Sequence, residues 1–203
     1  KHSLRFFTSC FQVTLLASLL LMGFSSAAET QQRNEKLVAA DARRLIPIPL
    51  DRISGEIELD GIVDEAAWEE IEPLPFFMWG PIHGGELTEE TQVRVGYDDR
   101  YLYMSGRMYD SDPDGIRLNT FYRDQFSGDD LLSIMIDSYN DYETAVWFVT
   151  NPGGARQDRT MSNDAEFSFG GDPFSGVMNA DWNAHWDVAT SRNEAGWFAE
   201  FRI

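Results

Sequence analysis

The sequence predicts an all-β protein, an antiparallel β-sandwich with one short helix. Three observations carry this. Thr91, Val93, Val95 and Tyr97 alternate with polar or small neighbours, and Tyr101 to Tyr109 returns across the turn Asp98-Asp99-Arg100. Leu131 to Asp137 is an apolar run that turns through Ser138 to Glu143 and returns as Thr144 to Asn151. Trp186 to Thr190 and Trp197 to Ile203 then make a last hairpin across Arg192 to Gly196. Many short strands separated by turns fit a two-layer β architecture.

The chain opens with Lys1, His2 and Arg5, followed by an almost wholly apolar stretch from Phe11 to Phe24. Ser26-Ala27-Ala28 supplies the small residues that a signal peptidase needs. Residues 1–28 therefore read as a secretory signal peptide. The apolar stretch is short for a spanning helix, which needs about 20 residues. The expected location is outside the cytoplasm: periplasm, outer membrane or extracellular medium.

Residues 29–50 read as an extended linker. Glu29 to Arg44 is polar and mixed in charge, and the prolines of Ile46-Pro-Ile-Pro49 hold the chain extended. The sandwich domain is assigned to residues 51–203. Ile57-Glu-Leu-Asp60 alternates like a short strand and ends in the turn Asp60-Gly61. Asp64 is placed to cap a helix from Glu65 to Ile71, with Ala67, Trp68 and Ile71 on one face. Pro73 and Pro75 close it. Ala165 to Asn183, rich in Gly, Ser, Phe and Asp, reads as a long loop. The final alternating run stops at Ile203, so the domain is expected to be truncated at its C-terminus, within a longer protein.

The only cysteine, Cys10, lies in the leader, so the remainder carries no disulfide. The formal charge is −18; without residues 1–28 it is −20, from 14 basic against 34 acidic residues. Such a surface repels phosphate backbones and disfavours nucleic acid as a partner. It suits uncharged ligands and divalent cations, and it also serves solubility.

Sugars present C–H faces that stack on aromatic rings and hydroxyls that pair with Asp, Asn and Arg. Phe126, Tyr122, Trp147, Trp182 and Trp186 are possible platforms, near Arg123, Asp124, Asn151 and Arg156. Trp68, Trp147 and Trp197 also suit a core. Phe126 and Trp182, both in loops, are the preferred stacking residues, with Arg123, Asp124 and Asn151 as polar partners. Asp110, Asp112 and Asp114 stand at alternate positions before Gly115, a spacing that can wrap oxygens around Ca²⁺. Phe121 stands where an EF-hand needs glutamate and Pro113 interrupts the loop, so that motif is rejected. Asp112 and Asp114 could equally cap a turn. No catalytic residue is assigned. His83 and His185 stand apart, no nucleophile elbow occurs, and carboxylates are too abundant for any pair to signify a glycosidase.

A family likeness rests on Leu59-Asp-Gly61 with Asp64-Glu-Ala-Ala-Trp68, on Val93-Arg-Val-Gly-Tyr-Asp98 with Tyr101-Leu-Tyr103 and Asp110, and on Asp130 with Ile134-Met-Ile-Asp137. These resemble the family 9 carbohydrate-binding modules over roughly Ile53 to Ile203. Asp110-Ser-Asp-Pro113, Asn151-Pro152-x-Gly154 with Asp158, and Trp186-Asp187 before Trp197-x-x-Glu-Phe-Arg202 resemble more closely a bacterial envelope family. That family carries the module ahead of a C-terminal region thought to be an outer-membrane β-barrel. The resemblance implies non-catalytic binding of a polysaccharide, linked to carbohydrate catabolism, with calcium as a possible cofactor. An alternative is a docking or plug domain for the barrel that follows, with no sugar site. A third is part of a glycoside hydrolase whose activity lies in a C-terminal region. The sequence departs from the sugar-binding members. Their first clamping tryptophan falls near Phe126 or Ser127 here, their second lies beyond Ile203, and their charged central-strand residues fall near Ser133 and Val149.

Overall fold

The structure is a computed structural model that describes residues 47–81, 84–162 and 178–203. The expected signal peptide, most of the linker, His83 and most of the Gly/Ser-rich loop lie outside these residues. The chain divides into two units. In the smaller, which includes Phe77–Glu86, an isolated antiparallel bridge joins Met78 to Gly85. The expected strand at Phe76 to Trp79 is reduced to that bridge.

The larger unit, Pro49–Phe76 with Leu87–Ile203, holds both sheets. The strands are β1 (Asp51–Arg52), β2 (Thr91–Tyr97), β3 (Leu102–Tyr109), β4 (Leu132–Ile136), β5 (Ala145–Thr150), β6 (Arg156–Met161), β7 (Met178–Asn179), β8 (Asp187–Asn193) and β9 (Gly196–Arg202). One sheet has the order β1-β2-β3-β9-β8 and the other β4-β5-β6-β7. All pairings are antiparallel except β1 with β2. The fold is the predicted β-sandwich with one short helix, α1 (Ala66–Glu69).

Side chains alternate across a strand, so each strand sorts its residues between two faces. On β9, Trp197, Ala199 and Phe201 enter the core between the sheets, with Val93 and Val95 of β2, Met104 of β3, Leu132 of β4 and Phe148 of β5. Trp186 joins them, stacked on Phe201 at 5.4 Å between ring centroids. It is core, not the exposed platform considered above.

The opposite face of the first sheet carries a second, smaller core. Ile53, Val63, Ala67, Trp68 and Ile71 pack there on Tyr103 and Phe198. Polar latches hold this cover down. Arg107 Nη2 donates to Val63 O at 2.6 Å, Arg94 Nε donates to Ile71 O at 2.9 Å, and Ser191 Oγ donates to Gly61 O at 2.6 Å.

Two expectations are corrected here. Ile57 to Asp60 forms no strand, because the amides of Asp60 and Gly61 donate to the Glu200 carboxylate instead of to a ladder. The helix is a single turn whose N-cap is Glu65, with no capping bond from its side chain; Asp64 does not cap it. Three strands lie outside the sequence reading: the two-residue β1, the two-residue β7 within the expected loop Ala165 to Asn183, and β6. β6 reads Arg-Gln-Asp-Arg-Thr-Met, which has no apolar alternation. Its pairing with β5 is complete from Arg156 opposite Thr150 to Met161 opposite Ala145. Among the described residues no helix is long and apolar enough to cross a membrane.

Candidate functional site

The β3–β4 loop and the segment before β8 meet beside β6. Arg123 makes the junction. Its Nη2 donates to the Asp158 carboxylate on β6 and, at 2.8 Å, to Asn183 Oδ1. Its Nε lies 3.4 Å from Asp124 Oδ2. Asp158 is almost completely buried, and its second oxygen accepts the Ala184 amide at 2.5 Å. A buried carboxylate needs such partners to offset the cost of leaving water. Asp124 sits in the left-handed region at φ 61°, and its amide donates to Arg156 O at 3.1 Å. The loop is thereby tied to the start of β6.

Trp182 stands next to Asn183, half-buried, with its ring edge-on to Phe148 at 6.1 Å. Phe126 is also half-buried, on the same loop as Arg123 and Asp124. Trp147 lies half-buried on β5.

Asn151 plays another part than the one expected. It is completely buried, and its Nδ2 donates to Thr120 O at 2.7 Å and to Asp129 Oδ1 at 2.9 Å. Its Oδ1 accepts the amides of Gly153 and Ala155, both at 3.1 Å. The whole hydrogen-bonding capacity of the amide is spent inside the protein. Asn151 holds the frame of the site and offers no free group to a ligand.

Asp129, its partner, also accepts from Asn119 N at 2.8 Å, Thr120 N at 3.2 Å and Ser127 N at 2.9 Å. Burial pushes this carboxyl up, but the donors from Ser127, Asn119, Asn151 and Thr120 outweigh it and hold it below its ordinary value.

Asp110, Asp112 and Asp114 surround a turn. Asp110 Oδ1 accepts the Asp112 amide at 2.8 Å, and Asp112 O accepts the Gly115 amide at 2.8 Å. Among the described residues the three carboxylates that lie within 4.8 Å of one another are Asp60, Glu65 and Glu200. The three aspartates of the turn are not gathered in that way, and of their carboxylates it is Asp110's that closes a local backbone amide, as short polar side chains in turns commonly do.

In the Asp60, Glu65 and Glu200 group, Asp60 is exposed, Glu65 half-buried and Glu200 buried beneath the cover. Glu200 Oε1 accepts Trp68 Nε1 at 2.9 Å, and Oε2 accepts Gly61 N at 2.9 Å and Asp60 N at 3.2 Å. Both oxygens serve the fold.

Asp129, Asp158 and Asn183 are the site residues that sequence reasoning did not assign. Asp158 stands in the Asn151 motif and Asn183 beside Trp182, but 35 and 60 residues of chain separate them from Arg123. What the assembly offers is a guanidinium, a carboxylate and an amide on a braced frame, with the half-buried Trp182, packed on the core, next to Asn183 in sequence. That polar set can pair with hydroxyls.

The class defined by this structure is a two-sheet β-sandwich. Its fold is similar to that of the carbohydrate binding module family 9 from Caldicellulosiruptor kristjanssonii. Two such structures match, one in complex with glucose (16% identity, TM-score 0.48) and one in complex with cellotriose (17% identity, TM-score 0.46). They cover 77% and 76% of this chain, which spans 67% and 66% of theirs, about two thirds of their length. No family model matches the sequence, and no curated protein matches it.

Proposed function

We propose that this is a non-catalytic carbohydrate-binding domain of an exported protein, taking a neutral glycan at the loops beside β6. The observation that carries the reading is the convergence of Arg123 and Asp124 with Asn183, the sequence neighbour of the half-buried Trp182. Three types of polar group that recognise sugars meet there, from segments distant in sequence. A net charge of −18 favours an uncharged ligand over an anionic one.

Binding is non-covalent and modest in strength, since each exposed hydrogen bond nets only about 0.5–1.5 kcal/mol. Phe126 supplies a further apolar contact beside Asp124. The leader directs the chain out of the cytoplasm, and a longer envelope protein would present the domain to extracellular or periplasmic polysaccharide.

Affinity electrophoresis of the chain through gels containing xylan, β-glucan or mannan tests the reading. Retardation by at least one neutral polysaccharide, lost in Arg123→Gln, is the expected result. Equal mobility in every gel, from protein shown to be folded by circular dichroism, would overturn it.

A further inference from the structure

We infer that Phe121 and Tyr122 form a second stacking platform, next to the Arg123 junction, which makes the domain prefer an extended glycan over a single sugar. This rests on the carbohydrate-binding reading above and adds a ligand contact to that site.

Both rings are unusually open for aromatic residues. Phe121 is 71% exposed and Tyr122 72% exposed. Exposed aromatic area in a soluble domain is informative when it is held rigidly, because rigidity lowers the ordering cost of binding. Here the loop is fixed on both sides of the pair. Asn119 N and Thr120 N donate to buried Asp129, and Thr120 O accepts from buried Asn151. Tyr122 N donates to Thr120 Oγ1 at 3.1 Å, and Asn119 Nδ2 bridges to Ser127 O at 2.8 Å. The Asp124 amide anchors the far side on Arg156 O.

Phe121 has a built seat as well. A Cβ added at Gly153 would lie 2.8 Å from Phe121 Cε1 and 2.9 Å from its Cδ1, and 2.8 Å from Leu118 Cδ1. The ring therefore lies on the bare backbone of Gly153, which leaves its other side to solvent. Gly153 is the second residue past Asn151, and its amide donates to Asn151 Oδ1 at 3.1 Å. The same buried amide thus fixes both the loop and the seat.

Tyr139 and Tyr142 are equally exposed, at 81% and 79%. They occupy the β4–β5 turn, whose residues Ser138 to Glu143 carry acidic side chains and no basic one. Phe121 and Tyr122 instead precede Arg123 directly. Consecutive Cα atoms are about 3.8 Å apart, so their rings lie within a sugar unit or two of the junction.

The test is isothermal titration of the full chain with glucose and with neutral trisaccharides of β-glucan, xylan and mannan, on wild type, Tyr122→Ala, Tyr122→Phe and Gly153→Ala. Gly153 has a backbone conformation that accepts alanine, so that variant displaces the seated ring without deleting it. Tyr122→Ala and Gly153→Ala are expected to weaken the best trisaccharide roughly fivefold to tenfold, as loss of one stacking contact would. Glucose affinity should stay within about twofold and Tyr122→Phe should bind as wild type, because stacking needs only the ring. Unchanged trisaccharide affinity in both variants would overturn the platform while leaving the Arg123 site intact. Equal loss for glucose and trisaccharide would also overturn it, since that reports a disturbed loop. A wild type that binds no sugar in the panel would remove the carbohydrate reading and the platform together.

Discussion

Trp68 Nε1 donates to Glu200 Oε1 across 2.9 Å, and neither side chain has any exposed surface. The bond joins the single helical turn to the middle of β9. The other oxygen of Glu200 takes the amides of Gly61 and Asp60, so one carboxylate gathers three donors from the cover. Desolvation outweighs those donors, and nearby Glu65 adds to it; the Glu200 carboxyl is pushed up to about 7.

A pH dependence of stability follows. Glu200 binds its proton more tightly in the folded chain than at its ordinary value of 4.5. Its contribution is complete below about 4.5 and is lost as the pH rises through about 7. The urea midpoint is expected to fall between pH 5 and pH 8, and Glu200→Gln should flatten that slope. A midpoint that rises over this range in wild type would contradict the assignment. Asp129, held below its ordinary value of 3.8, works in the opposite sense. Its contribution is present above about 3.8 and is lost as the pH falls below that value.

Gly61 has φ +81°, and a Cβ there would lie 2.6 Å from the backbone of Thr190. Gly61→Ala combines backbone strain with overlap against a strand that cannot move alone. It is expected to cost about 2–4 kcal/mol of stability by chemical denaturation. A loss below about 0.5 kcal/mol would mean that the cover is not held against β8.

Asn151→Ala removes one of the four donors to Asp129 and takes the partner from the Thr120 carbonyl and from the amides of Gly153 and Ala155. The expected cost is about 2–3 kcal/mol, together with weaker glycan binding as the Phe121 loop loosens. Faster hydrogen exchange at Asn119 and Thr120, whose amides depend on Asp129, would show the mechanism. Exchange at wild-type rates would place the support of that loop elsewhere.

Much of the sandwich can be read from the sequence because its hairpins obey the period of two. β2, β3, β4, β5 and β9 each place apolar residues on the face toward the inner core. β6 breaks that rule. Its Asp158 is paired with Arg123 and the Ala184 amide, contacts that no local pattern encodes. The site divides in the same way. Arg123, Asp124 and Trp182 are visible as loop residues of suitable chemistry. That Asn151 is a brace could not be read, because its four partners lie at Thr120, Asp129, Gly153 and Ala155, two of them across the fold. The aspartates of the 110–114 turn show the converse: a suggestive spacing whose three carboxylates do not converge, with Asp110 closing on the Asp112 amide.

The central claim is tested most directly by tryptophan fluorescence during titration with soluble neutral oligosaccharides, in calcium and then in EDTA. The account predicts a saturable change in emission with a β-glucan, xylan or mannan oligosaccharide. It also predicts that Trp182→Phe loses the signal, that Arg123→Gln loses the affinity, and that EDTA changes little, since the Arg123 guanidinium and the Asn183 amide meet a sugar hydroxyl without a cation. A flat response to every oligosaccharide from folded wild-type protein would contradict it.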